Sequence, residues 1–146
     1  MSGQNAYLHR RLNAAFNARD PDALIAVCDP TIEVHSVFTA VGGATYQGHE
    51  GARRWLGEIV EAWTEFHVVV EATFDLGEQT LAFVVLHGRG SVSGAEVVMP
   101  YAQVMRWREG RSVWFKAYAH REDALSDLGV SEDTLEPILP VNVRTD

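Results

Sequence analysis

The side chains best suited to moving a proton in this sequence are its histidines, and His35 holds the most useful place among them. It falls in Ile32–Val37, where Ile32 and Val34 take one face of a strand and Glu33 and His35 the other. An imidazole there, neutral near pH 7, can take or give a proton with little driving-force penalty. The alternative for His35 is a structural histidine that holds a loop carbonyl at the strand end. His87 and Arg89 share a strand face with Leu81, Phe83 and Val85. A guanidinium at that place can bind a carboxylate or a phenolate, provided the face turns inward; if the alternation runs the other way, both side chains are solvated. Lys116, Tyr118 and His120 alternate along a last strand, where Tyr118 can donate a hydrogen bond to a ligand and His120 can cap the following helical turn.

The remaining chemistry is narrowed by spacing. His35, His87 and His120 show no HxH or HxxxH spacing, and His49 and His67 add none, so no metal site is expected. Cys28 is the one cysteine, which excludes an intrachain disulfide, a CxxC redox pair and a cysteine zinc cage. There is no GxGxxG or Walker-type loop and no GxSxG nucleophile elbow. No cofactor is expected.

These residues need elements to position them. Leu8, Leu12, Ala15 and Phe16 form the stripe of a first helix. Asp20 and Pro21 read as N-cap and first residue of a short second helix that Asp29-Pro30 stops. After the Ile32–Val37 strand, a loop runs through Gly42 and Gly43. Gly48 to Trp63 is the clearest helix, with Ala52, Trp55, Leu56, Ile59, Val60 and Trp63 on one stripe. The period then changes from 3.6 to 2, and strands are expected over 66–74, 81–92, 97–107 and 112–119, with Gly77-Glu78, Ser93-Gly94 and Glu109-Gly110 as turns. Arg121 to Leu128 closes the chain as a helical turn stopped by Gly129. Residues 131–146, with Pro137 and Pro140, read as an extended arm. Helices followed by an antiparallel meander make this an α+β chain, and its 146 residues, without repeat or linker, suit one domain.

The net charge of −8 with scattered Lys and Arg argues against a nucleic-acid partner. No run approaches the ~20 apolar residues of a membrane span. The N-terminal MSGQNAYLHRR lacks the apolar core of a signal peptide, which predicts a cytoplasmic protein.

Three segments, RDPDALIAVCDPTIEVHS, YQGHEGARRWLGEIVEAW and YAQVMRWREGRSVWFKAYAHREDALSDLGV, together with the element order, resemble the SnoaL-like and nuclear-transport-factor-2-like families over roughly residues 5 to 130. The resemblance implies a curved antiparallel sheet wrapped around the N-terminal helices. That fold leaves a cone-shaped pocket for a small apolar molecule, commonly in a homodimer packed sheet against sheet. It also implies that His35 replaces the general-base Asp of the ketosteroid isomerases, and that Leu12 and Ala102 stand where those enzymes carry oxyanion donors. Neither can donate a side-chain hydrogen bond to an enolate. Arg89 and Arg106 imitate the arginine of the limonene epoxide hydrolases, but no Asp lies at a matching interior position. The expected pocket is therefore His35 as general acid or base, with Trp55, Val85, His87, Arg89, Ala102, Val104 and Tyr118 lining it. The Ala102 face of its strand is expected to look inward and the Gln103 face outward. The implied function is a small-molecule binder, either an isomerase, dehydratase or cyclase or else a non-catalytic ligand-binding or scaffold protein.

Overall fold

The structure, a computed structural model, describes residues 3–37 and 44–137. The loop through Gly42 and Gly43 and the end of the arm, with Pro140, lie outside the described residues. α1 (Gln4–Ala18) buries Ala6, His9, Leu12, Asn13, Ala15 and Phe16, the three- and four-residue spacing of one helix face. Arg19 ends it in the left-handed region, its N–H returning to the carbonyls of Ala15 and Phe16. α2 (Pro21–Ala26) begins as expected, with the Asp20 carboxylate accepting from the N–H groups of Asp22 and Ala23, both at 3.1 Å. β1 (Cys28–Ser36) and β2 (Ala44–Gln47) lead into α3 (Gly48–Ala62). The chain then runs through β3 (Trp63–Asp75), β4 (Gln79–Gly90), β5 (Glu96–Arg108) and β6 (Arg111–Tyr118) to α4 (Arg121–Leu128). Glu109 and Gly110, with φ of 53° and 80°, join β5 to β6 through two left-handed residues, the geometry that matches strand twist in a tight hairpin. A short 3-10 turn, Glu132–Thr134, follows α4.

The sheet has six strands in the order β2-β1-β6-β5-β4-β3. It departs from the expected four-strand meander in two ways. β1 joins β6 in parallel, and β2 pairs antiparallel to the outer side of β1. β2 is four residues long, too short for an alternation to register in the sequence.

Strand alternation and register divide the sheet into two faces. One face packs against α1 and α3. It carries Ile32, Val34 and Ser36 of β1, Phe66 and Val68 of β3, Ala82, Val84 and Leu86 of β4, Tyr101, Gln103 and Met105 of β5, and Phe115 and Ala117 of β6. The opposite face is covered in part by α4 and Leu135, over Phe74, Leu81, Phe83, Ala102, Val104 and Tyr118. Arg121 ties α4 to that face by donating to the backbone carbonyls of Tyr101 and Val84 and to Glu71. Because both faces are covered there, Tyr101 to Met105 are buried without interruption.

Candidate functional site

The space between the helices and the sheet is walled by Phe16 of α1, Trp55 and Ile59 of α3, Phe66 of β3 and Phe115 of β6. Ser36, Tyr101, Gln103 and Ala117 complete its lining. The cavity they enclose has a volume of about 10 Å³. The rings pack closely, Phe16 edge-on to Trp55 with centroids 4.5 Å apart and Trp55 against Phe115 at 4.9 Å. As it stands the space admits on the order of one water.

A buried polar chain closes one end. Trp107 Nε1 donates to Thr80 Oγ1 at 2.8 Å, and the Thr80 hydroxyl lies 2.7 Å from His9 Nδ1. His9 Nε2 is 3.0 Å from Gln103 Oε1. Gln103 and Asn13 exchange a pair of amide hydrogen bonds, at 2.8 and 2.9 Å, and Gln103 Nε2 also donates to the Tyr101 hydroxyl at 3.1 Å. The partners assign the protons. Gln103 Oε1 can only accept, so His9 carries its hydrogen on Nε2 and takes one from Thr80 at Nδ1. His9 is fully buried, and that loss of hydration lowers its pKa from 6.5 to about 4, against the opposing hydrogen bond to Gln103. The ring is neutral at pH 7. Burial likewise raises the Tyr101 phenol, despite its hydrogen bond from Gln103, so it stays protonated.

None of the described residues lining this space is a carboxylate. Among the residues expected in the pocket, Trp55 alone lines it. His35 is on the opposite face, paired through Nε2 with Glu33 Oε2 at 2.5 Å and 3.3 Å from the Thr45 hydroxyl through Nδ1. Its neighbours are Trp114, at 5.6 Å between rings, and Lys116, its partner in register. Ala102, Val104 and Tyr118 also lie on that opposite face, where Tyr118 donates to Asp127 at 2.8 Å. Burial, followed by the Asp127 carboxylate, raises the Tyr118 pKa. Val85 and His87 share this face farther along β4, and His87 is exposed. Arg89 stands at the hairpin end, donating to the Gly94 carbonyl at 2.8 Å and ion-paired with Glu65 at 3.7 Å and Glu96 at 4.0 Å.

The expected facing of β1, β4 and β5 is thus reversed: Gln103, not Ala102, looks toward the helices, and Ser36, not His35, ends β1 on that side. The sheet does bring His35, Lys116, Tyr118, Ala102 and Val104 together, but behind the cavity. His9, Asn13, Thr80 and Ser36 are site residues that the strand and helix patterns above do not mark. The signal for two of them was available, since His9, Asn13 and Phe16 fall at i, i+4 and i+7.

Within the described residues there is no group of three or more His, Cys, Asp or Glu able to hold a metal ion. No described helix is long and apolar enough to cross a membrane.

Comparison with solved structures places the fold. An NTF2-like protein of unknown function from Burkholderia pseudomallei superposes with a TM-score of 0.74 at 19% identity, over 86% of this chain and 97% of that one. A hypothetical protein with a ketosteroid isomerase-like fold from Catenulispora acidiphila, in complex with trimethylamine, gives 0.70 at 19% identity over 86% and 95%. TerC, co-crystallised with polyporic acid, gives 0.71 at 17% identity over 86% and 98%. At these identities the likeness is one of fold. No curated protein matches the chain. The SnoaL-like domain family matches residues 9–115, so the chain belongs to that family, with the α+β, NTF2-like fold of helices on a six-stranded, mostly antiparallel sheet.

Proposed function

We propose that this protein binds a small, mostly apolar ring compound between α1, α3 and the sheet, with the packed side chains of Phe16, Trp55 and Ile59 moving apart to admit it. The observation that carries this reading is the composition of that lining: aromatic and aliphatic walls that end at fixed, neutral polar groups, the usual make-up of a small-molecule site. The cavity holds no described carboxylate to act as base, and His9 is neutral with both ring nitrogens engaged. Binding without acid–base chemistry in this cavity is therefore the favoured form. Two structural neighbours crystallised with small molecules, trimethylamine and polyporic acid, support a ligand of that scale.

The test is a thermal-shift screen of wild type and Ala117→Val against steroids, terpenoid epoxides, polyketide-like aromatics and fatty acids. Ala117 is a buried residue of the lining, and the added methyls intrude on the space without adding a polar group. A ligand at ~100 times its dissociation constant adds about 2.7 kcal/mol of stability. The reading predicts that one class stabilises wild type and loses its effect on Ala117→Val. Equal shifts on both proteins, or none on either, would sink it.

A second reading rests on the Glu33–His35 pair, whose short contact lies beside Lys116 and Tyr118 on the opposite face. It is an acid–base dyad for isomerisation or dehydration at the surface. Turnover that survives Ala117→Val but not His35→Ala would favour it.

The family resemblance also implies a homodimer. The part of the opposite face left bare by α4 exposes Val69 and Val98, 41% and 61% accessible, around the cross-strand pair His67 and His87. A second copy packed there is the proposed partner. A Val98→Glu variant that elutes at half the wild-type mass would support it, and a monomeric wild type would contradict it.

A further inference from the structure

Among the described residues lining the cavity, one buried donor is left without a partner. Gln103 is saturated. Its oxygen accepts from His9 and Asn13, and its two N–H groups go to Asn13 and Tyr101. It has nothing left for a ligand. Four buried side-chain groups meet no partner among the described residues: Arg10 Nη1, Trp55 Nε1, Trp63 Nε1 and Thr73 Oγ1. Of these, Trp55 alone lines the cavity, and it is 3% accessible. An indole N–H is a donor only. Trp55 is a wall of that space, so an acceptor admitted beside its ring can satisfy the buried N–H.

We infer that the Trp55 indole N–H is the specificity-determining contact of this cavity, selecting a neutral ring compound that carries one hydrogen-bond acceptor, such as a ketone or ether oxygen. The inference rests on the cavity-binding reading above and adds which ligands the cavity prefers. Ring walls of Phe16, Phe66 and Phe115 fit the apolar body of such a molecule, and the unpartnered Trp55 N–H fits its oxygen. A hydrocarbon of the same shape gains the walls but leaves the N–H unpaired. A cationic ligand brings no acceptor and finds no described carboxylate in the lining.

The experiment uses the full chain labelled with ¹⁵N at its indole nitrogens. Its probes are acetophenone and the hydrocarbon of the same shape, 2-phenylpropene. The Trp55 resonance is assigned by its loss in Trp55→Phe. The inference predicts that acetophenone moves that resonance downfield, that it binds wild type about five- to tenfold tighter than 2-phenylpropene, and that Trp55→Phe binds the two probes equally. The comparison of the probes on wild type stands even if the variant fails to fold. Equal binding of both probes to wild type, with the Trp55 resonance unmoved, overturns the donor assignment and leaves the cavity reading intact. Binding of neither probe, with the resonance reporting a water alone, overturns both.

Discussion

His9 of α1 and Gln103 of β5 meet in the interior, 94 residues apart in sequence, with His9 Nε2 donating to Gln103 Oε1 at 3.0 Å. The contact locks the helix to the sheet, and burial keeps the imidazole neutral, with Nδ1 accepting from the Thr80 hydroxyl. Stability should therefore depend on pH through this ring. Above about 6.5 the ring is neutral folded and unfolded, and the full stability is present. As pH falls from 6.5 toward 4 the unfolded chain binds a proton that the folded chain refuses, so stability drops. Below about 4 both states are protonated and the loss levels off, at about 3 kcal/mol or less. Urea midpoints measured between pH 7 and 4 should fall more steeply for wild type than for His9→Asn. Parallel slopes would show that His9 is not the group responsible.

Gln103→Met keeps the volume of the side chain and removes all four of its hydrogen bonds. It leaves His9, Asn13 and Tyr101 without that partner in a dry interior, where each unmet group costs about 1–3 kcal/mol. A total of about 3 kcal/mol is expected from urea denaturation, allowing for partial rearrangement. Gln103→Glu should also destabilise, because it places a buried carboxylate oxygen against Asn13 Oδ1, which can only accept.

Gly88 of β4 lies against Trp63, where a β-carbon would stand 2.7 Å from Cε3 and 2.9 Å from Cζ3 of the indole. The ring is held by packing against Phe66, with centroids 5.9 Å apart. Gly88→Ala should cost about 1–3 kcal/mol by overpacking, visible as a lowered melting temperature. Gly57→Ala on α3, with nothing near its would-be β-carbon, should raise it slightly.

Asp20 caps α2 with one carboxylate oxygen on two backbone N–H groups. Asp20→Ala should lose about 1 kcal/mol, and Asp20→Asn should recover most of it. Chemical denaturation of the three proteins distinguishes a capping role from a general effect of charge.

His35→Ala should leave cavity binding unchanged, because the side chain is on the far side of the sheet, and should alter stability by about 1 kcal/mol or less, as expected for a partly exposed ion pair. A thermal-shift comparison with any cavity ligand checks this.

Much of the fold was legible because the periods were clean. The stripe through Ala52, Trp55, Leu56 and Ile59 marked α3, Asp20-Pro21 marked the start of α2, and Gly129, at φ 70°, marked the end of α4. The facing of the strands was not legible. Alternation reveals a strand's inner face when the other face is wet, and here α4 covers Ala102 and Val104 while the helices cover Tyr101, Gln103 and Met105. With both faces buried, a one-residue choice of register exchanges the whole candidate site. That is why His35, His87, Arg89 and Tyr118 stand away from the cavity and why Trp55, placed by a helical stripe, lines it. The polar interior escaped for a related reason. His9, Asn13, Thr80 and Gln103 are ordinary surface residue types until the chain brings them together across the core.

The measurement that bears most directly on the cavity is a methyl-resolved NMR titration with whichever compound gives the largest thermal shift. The account predicts that the largest perturbations fall on the Ile59 and Ala117 methyl groups, which line the cavity, while Thr45, beside His35, is unmoved. Perturbations centred on Thr45 with Ile59 and Ala117 silent would contradict it and move the site to the opposite face of the sheet.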